Sequence, residues 1–197
     1  MLLLGKTALV LGYGEIGQRI ARVCQAFEMR VWGVHKHASP DSQLIPGIPE
    51  FPVESLEELL PETHVLMLSL PLTPETKGLI GEHELRLMLP GGLLVNVGRG
   101  PVVEQKALYE ALRDRHLCGA GLDVWYNYPK DDSAYKNTPP ADYPFGELEN
   151  VVMSPHRGGQ GGTADVETMR MNQLAILLNA LAHGEEGPHK VRLDEGY

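Results

Sequence analysis

Gly12-Tyr13-Gly14-Glu15-Ile16-Gly17 has the spacing G-x-G-x-x-G. The apolar run Thr7 to Leu11 before it reads as a strand. Ile16, Ile20, Val23, Cys24 and Phe27 after it recur at helical spacing. In that setting the first glycine permits a tight turn and the second lets the backbone approach a pyrophosphate. The third lets the helix pack close to the strand. The helix then offers free N–H groups and its positive dipole end to the phosphates. A dinucleotide is therefore expected at Gly12, Gly14, Glu15, Ile16 and Gly17. The end of the second strand ordinarily supplies a carboxylate for the ribose 2′-hydroxyl. The run here is His35-Lys36-His37, with no carboxylate in it. A basic cluster can pair with a 2′-phosphate, so NADP is favoured over NAD, with His35 and Lys36 as contacts.

The elements that must position these residues alternate along the whole chain. Arg30 to Val34 reads as a second strand, and Ser55-Leu56-Glu57-Glu58 as a capping box opening a short helix. Val65 to Leu70 is a near-continuous apolar run, as in a strand buried on both faces. Leu85 and Met88 suggest a short helix, Leu93 to Val97 a strand, and Ala107, Leu108, Ala111 and Leu112 a helix. Ala120 to Val124 and Val151 to Met153 are further strands. A long helix follows near Thr163 to His183, with Val166, Met169, Leu174, Leu177 and Leu181 along one face and Gly184 as its stop. This alternation predicts an α/β fold, a Rossmann-like doubly wound parallel sheet with helices on both faces. Ligands bind such sheets beyond the carboxyl ends of the strands. Residues 1–184 form the expected dinucleotide-binding domain. Within it, 126–149 is a long loop rich in proline and tyrosine, and 185–197 is a tail.

Composition narrows the partners. The chain has 197 residues, 43% hydrophobic and 22% charged, as in a soluble globular domain. A net charge of -9 argues against nucleic acid, which needs a basic surface. Met1-Leu2-Leu3-Leu4 lacks a basic flank and is cut short by Gly5-Lys6, so it does not read as a signal peptide. No apolar run is long enough to span a bilayer, and no metal site is expected. The two cysteines, Cys24 and Cys118, read as reduced core thiols. The protein is expected to be cytoplasmic.

Four further stretches, with the glycine loop, make the chain similar to the D-isomer-specific 2-hydroxyacid dehydrogenases. They are Leu68-Ser69-Leu70-Pro71-Leu72-Thr73-Pro74-Glu75-Thr76, Asn96-Val97-Gly98-Arg99-Gly100, Gly121-Leu122-Asp123-Val124 and Ser154-Pro155-His156-Arg157-Gly158-Gly159. The resemblance implies hydride transfer between NAD(P)H and a small 2-oxo or 2-hydroxy acid, as in glyoxylate and hydroxypyruvate reductases. It implies that Arg99 holds the substrate carboxylate bidentately and polarises the 2-oxo group. His156 is then the catalytic acid–base, an imidazole that titrates near pH ~6.5 and can exchange a proton near neutrality. Asp123 holds the nicotinamide amide. Val97 and Gly98 lie near the nicotinamide ribose, and Pro71, Thr76 and Gly159 complete the cofactor contacts. A homodimer is implied by the same likeness.

The pattern fails in two places. The family's glutamate partner of the histidine is replaced by Tyr128, which can hydrogen-bond an imidazole but brings no negative charge. Reduction is then expected to fall off at lower pH than in Glu-containing relatives. The chain also begins at the first Rossmann strand, so the family's substrate domain is expected to be missing from it, as in a fragment. Two other functions stay open, a non-enzymatic NAD(P) sensor of corepressor type and, third, formate-type chemistry.

Overall fold

A computed structural model describes residues 2–39, 43–134, 136–159 and 162–188. It falls into two compact units that divide after His156. The first holds a seven-stranded sheet with every pairing parallel. The strands are β1 (Thr7–Leu11), β2 (Arg30–Val34), β3 (Glu50–Phe51), β4 (Val65–Leu68), β5 (Gly92–Asn96), β6 (Leu117–Leu122) and β7 (Val151–Met153). Their order, β3-β2-β1-β4-β5-β6-β7, reverses direction between β1 and β4. That is where a doubly wound sheet opens a crevice for ligand.

Residue alternation buries both faces of the sheet. Leu9, Leu11, Leu66, Leu68, Leu94 and Leu122 join one core with residues of helices α2 (Leu56–Leu59), α3 (Glu82–Leu87) and α4 (Gln105–Arg113). Ala8, Val10, Val31 and Val65 join a smaller core on the other face, with Ala21 and Cys24 of helix α1 (Glu15–Ala26). The doubly wound expectation holds, while several details differ. β4, β5 and β6 end at Leu68, Asn96 and Leu122, one or two residues short of the apolar runs. The residues beyond have left the ladder and form the loops at the ligand edge. The edge strand β3 has only two residues and was not legible as a strand. Ser55 does not cap α2: it sits in a 3-10 turn with helical backbone and no capping hydrogen bond.

Helix α1 buries a different stripe from the one its large apolar residues suggest. Gly17, Ala21 and Cys24 face the sheet, while Ile16, Val23 and Phe27 remain exposed. Gly17 dictates this, because a Cβ on it would overlap the carbonyl oxygen of Gly12. The helix therefore sits on its small residues. Burial raises the pKa of the Cys24 thiol, whereas Cys118 is exposed on β6, so the expectation of two core thiols holds for Cys24 alone.

The loop 126–149 is anchored rather than loose. Phe145, 1% exposed, packs edge-on against Tyr109 and Trp125 and stacks with Tyr126. The amides of Tyr126 and Asn127 both donate to the carbonyl of Pro140.

In the second unit, helix α5 (Ala164–Ala182) starts at Thr163, whose hydroxyl accepts from the amide of Val166, and stops at Gly184 with φ +73°. No residue of α5 is buried, so the expected apolar face is not set apart by burial. The expected tail lies outside the described residues from 189 onward. Among the described residues no helix is long and apolar enough to cross a membrane.

Gly17→Ala should lower the unfolding free energy by on the order of 3 kcal/mol, through a backbone overlap that neither partner can relieve. A urea titration followed by circular dichroism checks this, and an unchanged midpoint would contradict the close approach.

Candidate active site

The parallel sheet brings the ends of β1, β2, β4, β5, β6 and β7 to one edge, and nearly every residue singled out in the sequence follows one of those ends. At the crevice, Gly12 turns out of β1 with φ +95°, where a Cβ would lie 2.8 Å from the backbone carbon of Ser69. The Ser69 hydroxyl donates to the carbonyl of Gly12 at 2.7 Å, joining the loops after β1 and β4. Gly14 is the N-cap of α1 and provides no side-chain hydrogen bond to the first-turn amides. A Cβ on Gly14 would project into open space. These uncapped amides, opening onto space beside a helix N-terminus, fit the phosphates of a dinucleotide. Glu15 and Ile16 lie in that first turn, and both are exposed.

Beyond β2 the structure supplies a carboxylate that the local sequence lacks. The Glu50 side chain, fully buried on β3, meets His35 Nε2 at 3.0 Å and accepts from the amide of Leu44. His35 also stacks on Tyr13, with ring centroids 5.9 Å apart. Tyr13 is 3% exposed, and its hydroxyl has no hydrogen-bond partner among the described residues. Burial, then the charge of Glu50, pushes its pKa up to about 12. Tyr13 is therefore a prop beneath His35 rather than a polar ligand contact. His35 is already engaged, and Lys36 is the exposed cation next to it.

After β4, the Thr76 hydroxyl accepts from the amide of Thr73 at 2.8 Å and donates to the carbonyl of Pro71 at 2.7 Å. It staples the turn that carries both candidate contacts. After β5, Asn96 does a similar job that the sequence did not reveal. Its Oδ1 accepts from the amide of Gly98 at 3.0 Å and its Nδ2 donates to the carbonyl of Arg99 at 3.1 Å. Gly98 has no room for a side chain, since a Cβ would stand 2.6 Å from the carbonyl oxygen of Leu70. The amide of Val97 donates to Leu68. Arg99, three residues beyond β5, is exposed and uses Nη1 on the carbonyl of Gly98 at 2.7 Å.

Asp123 follows β6 directly, is 8% exposed, and accepts from the Ser154 hydroxyl at 2.5 Å. Trp125 Nε1 donates to the carbonyl of Ser154 at 2.8 Å. These bonds tie the ends of β6 and β7 together just before His156, which lies three residues beyond β7. His156 adopts φ +56°, a left-handed conformation uncommon outside glycine. Its Nδ1 meets the Tyr128 hydroxyl at 3.1 Å, at the position where the sequence departs from the family pattern. Ser69, Asn96, Trp125 and Ser154 are polar staples; three of them stand inside the family stretches, but only the fold reveals what they tie. Gly159 lies in the second unit, where a Cβ would meet nothing within 4 Å. Among the described residues no group of three or more His, Cys, Asp or Glu could hold a metal ion.

Residues 2–158 match the family model described as D-isomer specific 2-hydroxyacid dehydrogenase, NAD binding domain. A glyoxylate reductase of Korarchaeum cryptofilum is 37% identical over 95% of this chain and 52% of its own length. Among solved structures, a probable 2-hydroxyacid dehydrogenase from Rhizobium etli, in complex with NADP, superposes with a TM-score of 0.82 at 25% identity. It covers all of this chain, which spans 58% of it. An NADPH-dependent glyoxylate/hydroxypyruvate reductase from Sinorhizobium meliloti, in complex with NADP, gives 0.80 at 25% identity, over 98% of this chain and 57% of its own. The chain thus spans about half the length of the relatives it matches.

Asn96→Ala should cost about 2 kcal/mol, because it strands the buried amide of Gly98 and leaves the Arg99 carbonyl with the Val102 amide alone. Urea unfolding should show the loss and hydrogen exchange should quicken at Gly98. Wild-type exchange there would contradict the clamp.

Proposed function

The chain belongs to the D-isomer-specific 2-hydroxyacid dehydrogenase family through its NAD-binding domain, and on that basis we propose that it carries the cofactor site and catalytic residues of an NAD(P)-dependent oxidoreductase. Its substrate is a small 2-oxo acid of the glyoxylate or hydroxypyruvate kind, reduced to the 2-hydroxy acid. One observation carries the reading. Arg99, Asp123 and His156 follow three adjacent parallel strands, on the edge where the uncapped α1 N-terminus also opens.

When bound, the cofactor supplies the hydride. The residues of this chain hold and protonate the substrate. The Arg99 guanidinium takes the carboxylate as a fork, and its charge draws electron density from the adjacent carbonyl. His156 delivers a proton from Nε2 to the 2-oxygen, because Nδ1 already faces Tyr128. Asp123, buried and held by Ser154, takes the amide of the nicotinamide. Gly12, Gly14, Glu15, Ile16 and Gly17 hold the pyrophosphate, while Pro71, Thr76, Val97 and Gly98 line the ribose side. On this reading residues 1–184 are the dinucleotide-binding domain and the protein is a cytoplasmic homodimer. The corepressor-type sensor is not favoured: the relatives and neighbours described above are named reductases and dehydrogenases.

NADPH is the proposed partner over NADH. Lys36 is the exposed cation beyond β2, and two structural neighbours are described with NADP. The Glu50 carboxylate occupies His35, so Lys36 bears most of the preference.

Parallel fluorescence titrations should show NADPH binding about ten-fold tighter than NADH, with Lys36→Ala removing the difference. Equal affinities in the unaltered protein would refute the preference. With glyoxylate as substrate, His156→Ala should lower kcat by about 10²–10⁴-fold, and Arg99→Ala should act mainly on kcat/KM. Activity that survives both substitutions would dismiss the assignment. An imidazolium loses its proton as pH rises, and a carboxylate beside it would hold that proton to higher pH. Tyr128→Glu should therefore shift the alkaline fall of the reduction rate to higher pH, and superimposable profiles would contradict this.

A further inference from the structure

Tyr128 lies near the start of the anchored loop, shortly after β6. Its hydroxyl meets His156 Nδ1 at 3.1 Å, and the two rings are tilted with centroids 5.7 Å apart. The backbone amide of Trp125 donates to the same hydroxyl at 3.1 Å. Trp125 is 5% exposed and pinned by its indole N–H on Ser154, so this donor is fixed. A phenol hydroxyl has one proton and two lone pairs. The Trp125 amide occupies a lone pair, because an N–H can only donate. The remaining capacity faces Nδ1. A phenol O–H is a good donor to a bare imidazole nitrogen, whereas its ring-conjugated oxygen is a poor acceptor. The favoured pairing of neutral His156 is therefore O–H to Nδ1.

We infer that Tyr128 is a positioning residue that fixes the neutral His156 ring with its proton on Nε2, the nitrogen left without a partner among the described residues. The inference rests on the proposed catalytic role of His156 and adds the state in which that residue waits. A carboxylate at position 128 could only accept. It would place the proton of the neutral ring on Nδ1 and leave Nε2 bare. The hydroxyl does the opposite, so the resting site offers an N–H donor to a 2-oxo group even where the ring is uncharged. The left-handed backbone of His156 and the Trp125–Ser154 bond hold the ring where this pairing is made.

The test is a long-range proton–nitrogen correlation spectrum of the whole chain at pH about 9, above the range in which imidazole titrates, with no substrate present. His156 is assigned by its loss in His156→Gln. The expected spectrum has the proton on Nε2 and a hydrogen-bonded, acceptor-type Nδ1. Tyr128→Phe should move the Nδ1 resonance towards that of a free acceptor, and Tyr128→Glu should transfer the proton to Nδ1. A wild-type proton on Nδ1, or an Nδ1 resonance indifferent to Tyr128→Phe, would overturn the inference. Glyoxylate reduction is read separately: Tyr128→Phe should lower kcat about ten-fold with little change in KM. The expected spectrum without any reduction by the unaltered protein would leave the tautomer established and remove the functional reading alone.

Discussion

Helix α1 reaches the sheet edge by laying Gly17 against the carbonyl of Gly12, a backbone approach that leaves no room for a Cβ. On the other side of the crevice Gly12 backs onto Ser69, whose hydroxyl binds the same carbonyl. These two contacts pull the loops after β1 and β4 together at the point where the strand order reverses. The helix must then bury its small residues, its large apolar ones turn outward, and its N-terminus opens at the crevice without a cap. A dinucleotide site follows from that geometry before any side chain is considered.

The edge that carries Arg99 and His156 is built differently, by polar staples. Three strands end early, and each following loop is tied back by one side chain: Ser69 after β4, Asn96 after β5 and Ser154 across the ends of β6 and β7. Each satisfies backbone or carboxylate groups that would otherwise be stranded where water is scarce, and each removes freedom from the loop it ties back. Arg99 can therefore be exposed, and His156 only half-buried, and both still be placed. The loop 126–149 contributes through its aromatic anchor, since Phe145 and Trp125 fix the stretch from which Tyr128 reaches His156.

The strands, the helices and the glycine loop were legible because apolar periodicity and turn residues act locally. Residues that act across the sheet were not. Glu50 stands far from His35 in sequence on a two-residue strand with no pattern to betray it, yet its buried carboxylate pairs with His35 beyond the end of β2. Asn96 and Ser154 open two of the family stretches, but nothing local shows which backbone groups and carboxylate their side chains hold. The capping box at Ser55 was a false signal, because a preceding 3-10 turn had already drawn that residue into helical backbone. Arg99, Asp123 and His156 were found through resemblance, and the fold adds that they leave neighbouring strands at one edge.

On the proposed reading, one sheet edge holds a dinucleotide against Arg99 and His156. Hydrogen–deuterium exchange of the chain with and without NADPH tests it most directly, because it reports where the cofactor lies rather than whether it binds. Slowed exchange should appear at the first-turn amides of α1, residues 15–18, and along the loop 97–99. Protection confined to other segments, or none at these two under saturating NADPH, would place the cofactor elsewhere.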